Sequence, residues 1–369
     1  MKTRILKIDY LDPEEKFLKE AAAVLASGGL VIIPTETVYG IAVNAGNKKS
    51  LQRLYELKGR PPDKPFSYHI EKASRVEEFA RGIPVAAYKL MHKFWPGPLT
   101  LILKHRNQGT VGMRMPDDEI ALKVIEFADS QIVCPSANIS GSPAPKNFQE
   151  AIAPFDGRVD LAIDAGATKL GEESTVVDLT SQPLRVVREG AIKAEEIRRV
   201  SALKTVLFIC TGNSCRSVMA EGLLKKAMEE NGRNDVEVLS AGIMMLAGMG
   251  ASSQTQKLLQ QEGIDVSGHR SRRADKEIIS MSDFILVMEK PQEEMVLRLA
   301  PEVKNRVFLL KEFANPVRNN KFGLAKISNG AKIKDANLNI DDPIGRSPEF
   351  YAETFSVIKQ AVQRVAQII

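Results

Sequence analysis

The stretch VLFICTGNSCRS, Val206–Ser217, decides the architecture of half of the chain. An apolar run ends in Cys210, and Thr211, Gly212, Asn213, Ser214, Cys215, Arg216 and Ser217 crowd into the turn that follows. The run reads as a buried strand, and the turn opens a helix from about Ser217 to Asn231. Backbone N–H groups at a helix start converge on one spot and carry the positive end of the dipole, which makes the turn an anion-binding nest. Gly212 lets the chain fold closely there. A cysteine in such a nest is expected as a thiolate. Arg216 follows Cys210 after five intervening residues, and its planar fork can fold back onto two oxygens of a phosphate. A thiolate beneath a bound phosphoryl group is the arrangement for nucleophilic phosphoryl transfer.

Working outward, strands and helices alternate. Strand VEVLSAG, helix SSQTQKLLQQEG, strands DFILVM and RVFLLK, and a last helix through FYAETFSVIKQAVQRVAQII follow. Alternation of this kind implies a parallel sheet covered on both faces. The polar, Lys/Asn-rich stretch Asn315–Asn339 has no periodicity and reads as a mobile loop. Upstream, a helix is expected with Asp12 as N-cap and Pro13 in first place, with Phe17, Leu18, Ala21, Ala22 and Leu25 at helical spacing before Gly28-Gly29. Strand LVIIP then leads to TETVYG in a loop, helix KSLQRLYELKGR follows, and PLTLILK and STVVDLT read as strands. The segment Glu189–Lys204 reads as a short helix and polar connector. The chain therefore divides into domains at 1–200 and 204–369, and it contains no internal repeat.

Composition agrees with that division. At 369 residues the chain exceeds one hydrophobic core. Its 44% hydrophobic and 26% charged content is that of a globular protein, not a disordered one. The start, MKTRILKIDYLDPEEKF, has no apolar signal core, and no run is long enough to span a bilayer, so no membrane partner is expected. Three cysteines, Cys134, Cys210 and Cys215, make no disulfide framework, and the expected location is cytoplasmic. A net charge of +5 permits a polyanionic partner without demanding one.

The string CTGNSCRS with its strand and helix resembles the low-molecular-weight protein tyrosine phosphatase family, from about Lys204 to the C-terminus, with SAG at Ser240–Gly242 and DDP at Asp341–Pro343. The resemblance implies Cys210 as nucleophile, Arg216 as phosphate clamp, Ser217 as hydroxyl donor to the thiolate and Asn213 as the residue holding the loop. It implies Asp342 as the acid for the leaving group and the base for water, and a phosphorylated protein as substrate, with no cofactor. Where family members have an aromatic residue after Asp-Pro this chain has Ile344, and where they have an apolar residue it has Ser214. The small polar Ser214 resembles the protein-arginine phosphatase branch, so phosphotyrosine and phosphoarginine both stay open. Cys215 reads equally as a partner for a protective disulfide with Cys210 and as a loop-packing residue. A phosphatase half reduced to a scaffold is disfavoured by the complete Cys210, Arg216 and Asp342 set.

In the first half no triad, metal cluster or Walker loop occurs. Four islands stand out: PTETVYG (Pro34–Gly40), KGRPPDKPFSYHI (Lys58–Ile70), CPSANISG (Cys134–Gly141) and GEESTVVD (Gly171–Asp178). Their hydroxyls, amides and cations on Gly- and Pro-rich turns suit a triphosphate and a small zwitterion. Together they resemble the YrdC-like threonylcarbamoyl-AMP synthase family from Ala21 to Ile192. The resemblance implies a reaction of L-threonine, bicarbonate and ATP to threonylcarbamoyl-adenylate and pyrophosphate, supplying the machinery that makes t6A in tRNA. Lys58, Arg60, Ser136 and Asn138 match the family's Lys-x-Arg and Ser-x-Asn signature. Thr35, His69, Arg114 and Ser174 would line the threonine pocket, and Lys64, Thr110, Ser136 and Arg188 would contact ATP, with Mg²⁺ on its phosphates. Tyr68 stands where a small aliphatic residue is expected, which leaves His69 open as a core histidine. Cys134 reads as a packing residue. The expected fold class is α/β: an N-terminal YrdC-like twisted mixed sheet with helices, and a C-terminal parallel-sheet phosphatase fold. The competing reading makes the first domain a double-stranded-RNA or tRNA binding module without synthase activity. A threonine pocket is superfluous for that role.

Overall fold

The computed structural model describes residues 2–244, 248–315 and 337–369, so most of the expected Asn315–Asn339 loop lies outside the described residues. The chain splits into two compact units, Met1–Ser201 and Ala202–Ile369.

The first unit contains strands β1 (Arg4–Lys7), β2 (Val31–Ile33), β3 (Gly40–Asn44), β4 (Tyr68–His69), β5 (Leu99–Lys104), β6 (Thr110–Arg114), β7 (Ile132–Val133), β8 (Leu161–Asp164), β9 (Thr175–Asp178) and β10 (Arg185–Arg188). They form one mixed sheet in the order β1-β8-β2-β3-β7-β4-β6-β5-β9-β10. β2 and β3 pair antiparallel and are buried along nearly their whole length, as their unbroken apolar runs require. The helix Glu15–Ala26 turns Leu18, Ala21, Ala22 and Leu25 inward, the face its spacing specifies. It begins later than the sequence suggests: Asp12 is not its N-cap and Pro13 is not in its first turn. The N–H groups of Phe17 and Leu18 bond to the Glu14 carbonyl, so packing of the apolar face sets the start over the local capping signal. Tyr68 and His69 alternate on β4, and Tyr68 stacks on Phe79 with ring centres 4.9 Å apart.

The second unit is a four-stranded parallel sheet of β11 (Lys204–Cys210), β12 (Val236–Gly242), β13 (Phe284–Val287) and β14 (Val307–Leu309), in the order β12-β11-β13-β14. Every residue of β11 after Lys204 is buried. Val206, Phe208 and Cys210 face a core that includes the helices Arg216–Glu230 and Pro348–Ile368, which pack on one another. Because β12 and β13 flank β11 on opposite sides, the strand order reverses at β11. A crevice opens beyond its C-terminal end, the usual ligand position in an open parallel sheet, and Cys210 is the last residue of that strand.

Candidate active sites

In the second unit the phosphate loop is built from its backbone upward. Asn213 takes φ +50°, a left-handed conformation that Asn tolerates better than most residues. Its side chain is fully buried and has three partners: Nδ2 donates to Ser217 Oγ at 3.0 Å and Ser240 Oγ at 2.8 Å, and Oδ1 accepts from the Arg272 N–H at 2.9 Å. Since Ser217 Oγ accepts from Asn213, its own proton is directed to Cys210 Sγ, 3.0 Å away. The Asn213 N–H also donates to that sulfur, at 3.3 Å. Ser240 in turn donates to Glu221, and the His269 ring meets the Asn213 carbonyl at 2.8 Å. Gly242 closes against this loop, where any Cβ would stand 2.9 Å from the Thr211 carbonyl.

Arg216 is the first residue of its helix and is fully buried. Nη1 bonds to Glu289 Oε2 at 2.5 Å and the Ile340 carbonyl at 2.7 Å. Nη2 bonds to Asp342 Oδ2 at 2.5 Å and Thr211 Oγ1 at 3.2 Å. Nε is buried without an acceptor. Cys210, Asn213, Arg216, Ser217 and Asp342 are thus brought together. Ser214 is half-buried on the loop, and Ile344 is exposed beyond Asp342. Cys215 packs beneath, its sulfur 3.4 Å from Ser252 Oγ and 3.5 Å from the Tyr351 hydroxyl. All three cysteines are free thiols. Glu289 is absent from the sequence-derived set. Its only local signal is the Glu289/Gln292 pair that boxes the start of the helix Lys290–Leu299.

In the first unit a cavity of about 360 Å³ is lined by Thr35, Arg60, His69, Arg114, Ser136, Ser174 and Arg188, together with Thr100, Glu173 and others. Strand register assembles it: β4 beside β6 places His69 against Arg114, and β5 beside β9 pairs Thr100 with Val176, two residues from Ser174, with the Thr100 and Ser174 hydroxyls 2.9 Å apart. Arg188 bonds to the Ser174 carbonyl (2.8 Å) and Oγ (3.2 Å) and pairs with Glu173 at 2.5 Å. Arg60 ties Nε to the Lys64 carbonyl at 2.9 Å and lies 4.9 Å over the Phe66 ring. Burial, then the Arg114 charge, pushes the His69 imidazole down to about 3, so the ring is neutral, and its Nδ1 has no partner. Burial pushes the Cys134 thiol up to about 12, which makes it an inert packing group.

Four expected residues stand elsewhere. Lys64 and Thr110 are exposed, and neither lines the cavity. Lys58 is buried and gives its ammonium to the Ser136 carbonyl, to the Asn138 carbonyl at 2.7 Å and to Asn138 Oδ1 at 3.4 Å. Its three donors are therefore spent on holding the Ser136–Asn138 turn, and burial pushes its pKa down to about 8. Asn138 belongs to the same scaffold, accepting from Ser136 Oγ at 2.6 Å. Among the described residues no group of three His, Cys, Asp or Glu is placed to hold a metal ion. No helix of the described residues is long and apolar enough to cross a membrane.

Comparison with known proteins matches each unit to a family. Residues 23–190 match the Sua5/YciO/YrdC family model, described as telomere recombination, and residues 205–369 match the low molecular weight phosphotyrosine protein phosphatase model. The chain is 40% identical over 219 residues to the threonylcarbamoyl-AMP synthase of Pyrococcus abyssi, a match covering 57% of this chain and 64% of that relative. The crystal structure of P. abyssi Sua5 complexed with L-threonine is similar with a TM-score of 0.52 and 30% identity, covering 65% of this chain and 92% of that one. A protein-arginine-phosphatase of Geobacillus stearothermophilus is 31% identical over 162 residues, 44% of this chain and 93% of that relative. The chain thus belongs, through its first unit, to the threonylcarbamoyl-AMP synthase family and, through its second, to the low-molecular-weight phosphatase family.

Proposed function

We propose that the chain is a fused bifunctional enzyme, an L-threonylcarbamoyladenylate synthase joined to a cysteine-dependent protein phosphatase. The synthase reading is supported by a cavity that combines neutral His69, the buried hydroxyls of Thr35 and Ser174, and the cations Arg60, Arg114 and Arg188. Threonine's amine and bicarbonate give a carbamate, whose oxygen attacks the α-phosphorus of ATP and expels pyrophosphate. No protein nucleophile takes part; positioning and charge neutralisation carry the step. Mg²⁺ would screen the phosphates. An RNA-binding surface needs cations alone, and no specific observation favours it over a cavity with buried hydroxyls.

The phosphatase reading rests on one observation: Cys210 Sγ takes the Asn213 N–H and meets the Ser217 hydroxyl on a loop whose Thr211 Oγ1 also holds the buried Arg216. Cys210 attacks the phosphorus. The loop N–H groups and Arg216 take the phosphoryl oxygens. A phosphate arriving at Arg216 competes for Nη2 and releases the Asp342 carboxylate, which takes up a proton from solvent and delivers it to the leaving group. Asp342 then takes a proton from the water that hydrolyses the phosphocysteine. Phosphoarginine is the preferred substrate in this reading, because Ser214 and Ile344 supply no aromatic wall. The experiment is pyrophosphate release by the purified chain. Release should require both L-threonine and bicarbonate, and Cys210→Ser should abolish phosphopeptide hydrolysis without affecting it. Release independent of threonine would refute the synthase half.

A further inference from the structure

After the apolar strand β2, three polar residues in succession are buried: Thr35, Glu36 and Thr37, at 2%, 2% and 0% exposure. Thr35 lines the cavity, whereas Glu36 does not. Its carboxylate instead stands 2.8 Å from Arg114 Nη2 as an ion pair, with side chains 3% and 6% exposed. Neither carboxylate oxygen accepts an aligned hydrogen bond, so what Glu36 supplies is charge rather than a directional acceptor.

Arg114 is held on the same side by Thr37 Oγ1, 2.8 Å from Nη2, and by the Gly97 carbonyl, 3.4 Å from Nε. Thr37 accepts from Arg114 and so passes its own proton to Thr35 Oγ1 at 2.8 Å, and Thr35 donates to the Val38 carbonyl at 2.7 Å. Two nitrogens of the guanidinium are thereby tied to the protein. Among the described residues Nη1 has no acceptor, and Arg114 lines the cavity. A fork with one edge tied to protein and the other facing a cavity is set to receive a carboxylate.

We propose that Glu36 is a positioning residue for the first cavity, the buried counter-charge that orients Arg114 toward the carboxylate of the amino-acid substrate. This rests on the synthase reading. A buried carboxylate without hydrogen bonds is costly, and its contact with Arg114 is the interaction that offsets the cost. Glutamine has nearly the same shape but no charge, so it cannot replace what Glu36 supplies.

The test is calorimetric titration of the full chain with L-threonine and, separately, with ATP, followed by steady-state kinetics. A wild type that binds no threonine refutes the synthase reading before Glu36 is reached. Where the wild type binds, Glu36→Gln should weaken threonine and raise its KM ten-fold or more. ATP affinity and kcat at saturating threonine should stay within about two-fold. Equal losses for both ligands, or unchanged threonine affinity, overturn the proposal. Should Glu36→Gln fail to fold, Glu36→Asp decides, because it keeps the charge but withdraws it by one methylene. A selective threonine loss there supports the proposal, and wild-type affinity overturns it.

Discussion

One methyl group at Gly242 puts the phosphate loop under a sharp test. A Cβ at that position would stand 2.9 Å from the Thr211 carbonyl oxygen, 3.0 Å from the Asn213 nitrogen and 3.1 Å from the Gly212 carbonyl carbon. All three are backbone atoms, so no side chain can swing aside. Comfortable contact between carbon atoms is about 3.5–4.0 Å, and the loop must withdraw by roughly half an ångström. The Asn213 N–H that is pushed is the one donating to Cys210 Sγ at 3.3 Å. Overpacking of this kind costs about 1–3 kcal/mol. Because a misplacement of about 1 Å can cost 100-fold in rate, we expect Gly242→Ala to lower kcat for phosphopeptide hydrolysis by roughly 10- to 100-fold. Pyrophosphate release by the first unit should be unchanged. The matched control is Gly222→Ala, within the helix Arg216–Glu230, where the new methyl meets only side-chain atoms, Ile264 Cγ2 at 3.2 Å and the Leu259 methyls at 3.5 Å. Alanine's better helix propensity, worth up to about 1 kcal/mol, offsets that contact. Steady-state hydrolysis and thermal melts of both variants measure the contrast. Gly242→Ala within two-fold of wild type, or equal losses in the two variants, would refute the reasoning.

Three further outcomes are expected. Ser214→Ile should lose phosphoarginine activity selectively against phosphotyrosine, since a larger apolar side chain on the half-buried loop crowds a polar guanidinium; equal losses on both peptides contradict this. Arg60→Ala should abolish threonine-dependent pyrophosphate release while leaving phosphatase activity intact, and unchanged ATP affinity and turnover would remove Arg60 from the nucleotide site. For His69, burial holds the folded pKa near 3 against an unfolded value of about 6.5. The unfolded chain therefore binds a proton that the folded chain refuses, and stability falls as pH drops below about 6.5, by up to about 1.4 kcal/mol per unit. His69→Gln should flatten that acid limb in denaturant titrations between about pH 5 and 6.5; an unaltered slope argues against a buried neutral ring.

The phosphatase fold was legible because its information is local. β11, the phosphate loop and the helix after it are consecutive, and the apolar run Val206–Ile209 sets both strand and burial. Asp342 is distant in sequence, and it was found through the motif it shares with a family rather than through any pattern of its own. The first unit was less legible. Its cavity is assembled by register, with His69 opposite Arg114 and Thr100 beside Ser174. No spacing in the sequence expresses those pairings. A basic turn and the Lys-x-Arg signature made Lys58 a candidate for the nucleotide site, and the fold turns its ammonium onto the carbonyls of Ser136 and Asn138. A two-residue strand such as β4 also offers too few positions for alternation to show, so Tyr68 read as an anomaly until its packing on Phe79 was visible.

The residues that escaped sequence reading share one physical character. Both buried arginines that face a site have a glutamate counter-charge, Glu36 at 2.8 Å from Arg114 and Glu289 at 2.5 Å from Arg216. Glutamate is almost never buried unless paired, and the partner that permits burial is fixed by the fold, not by neighbours in the chain. An arginine in a motif announces a bound anion, but its built-in anion has no motif. The two glutamates also differ in kind. Glu289 accepts a hydrogen bond from Arg216 and is itself held by Gln292 at 3.0 Å, so an amide at position 289 keeps part of the contact. Glu36 offers charge alone. Removing Glu36 leaves a buried guanidinium without its carboxylate, commonly costing about 3–5 kcal/mol, whereas Arg216 keeps Asp342 when Glu289 is lost; only at position 36 should the isosteric amide be as damaging as outright loss of the carboxylate.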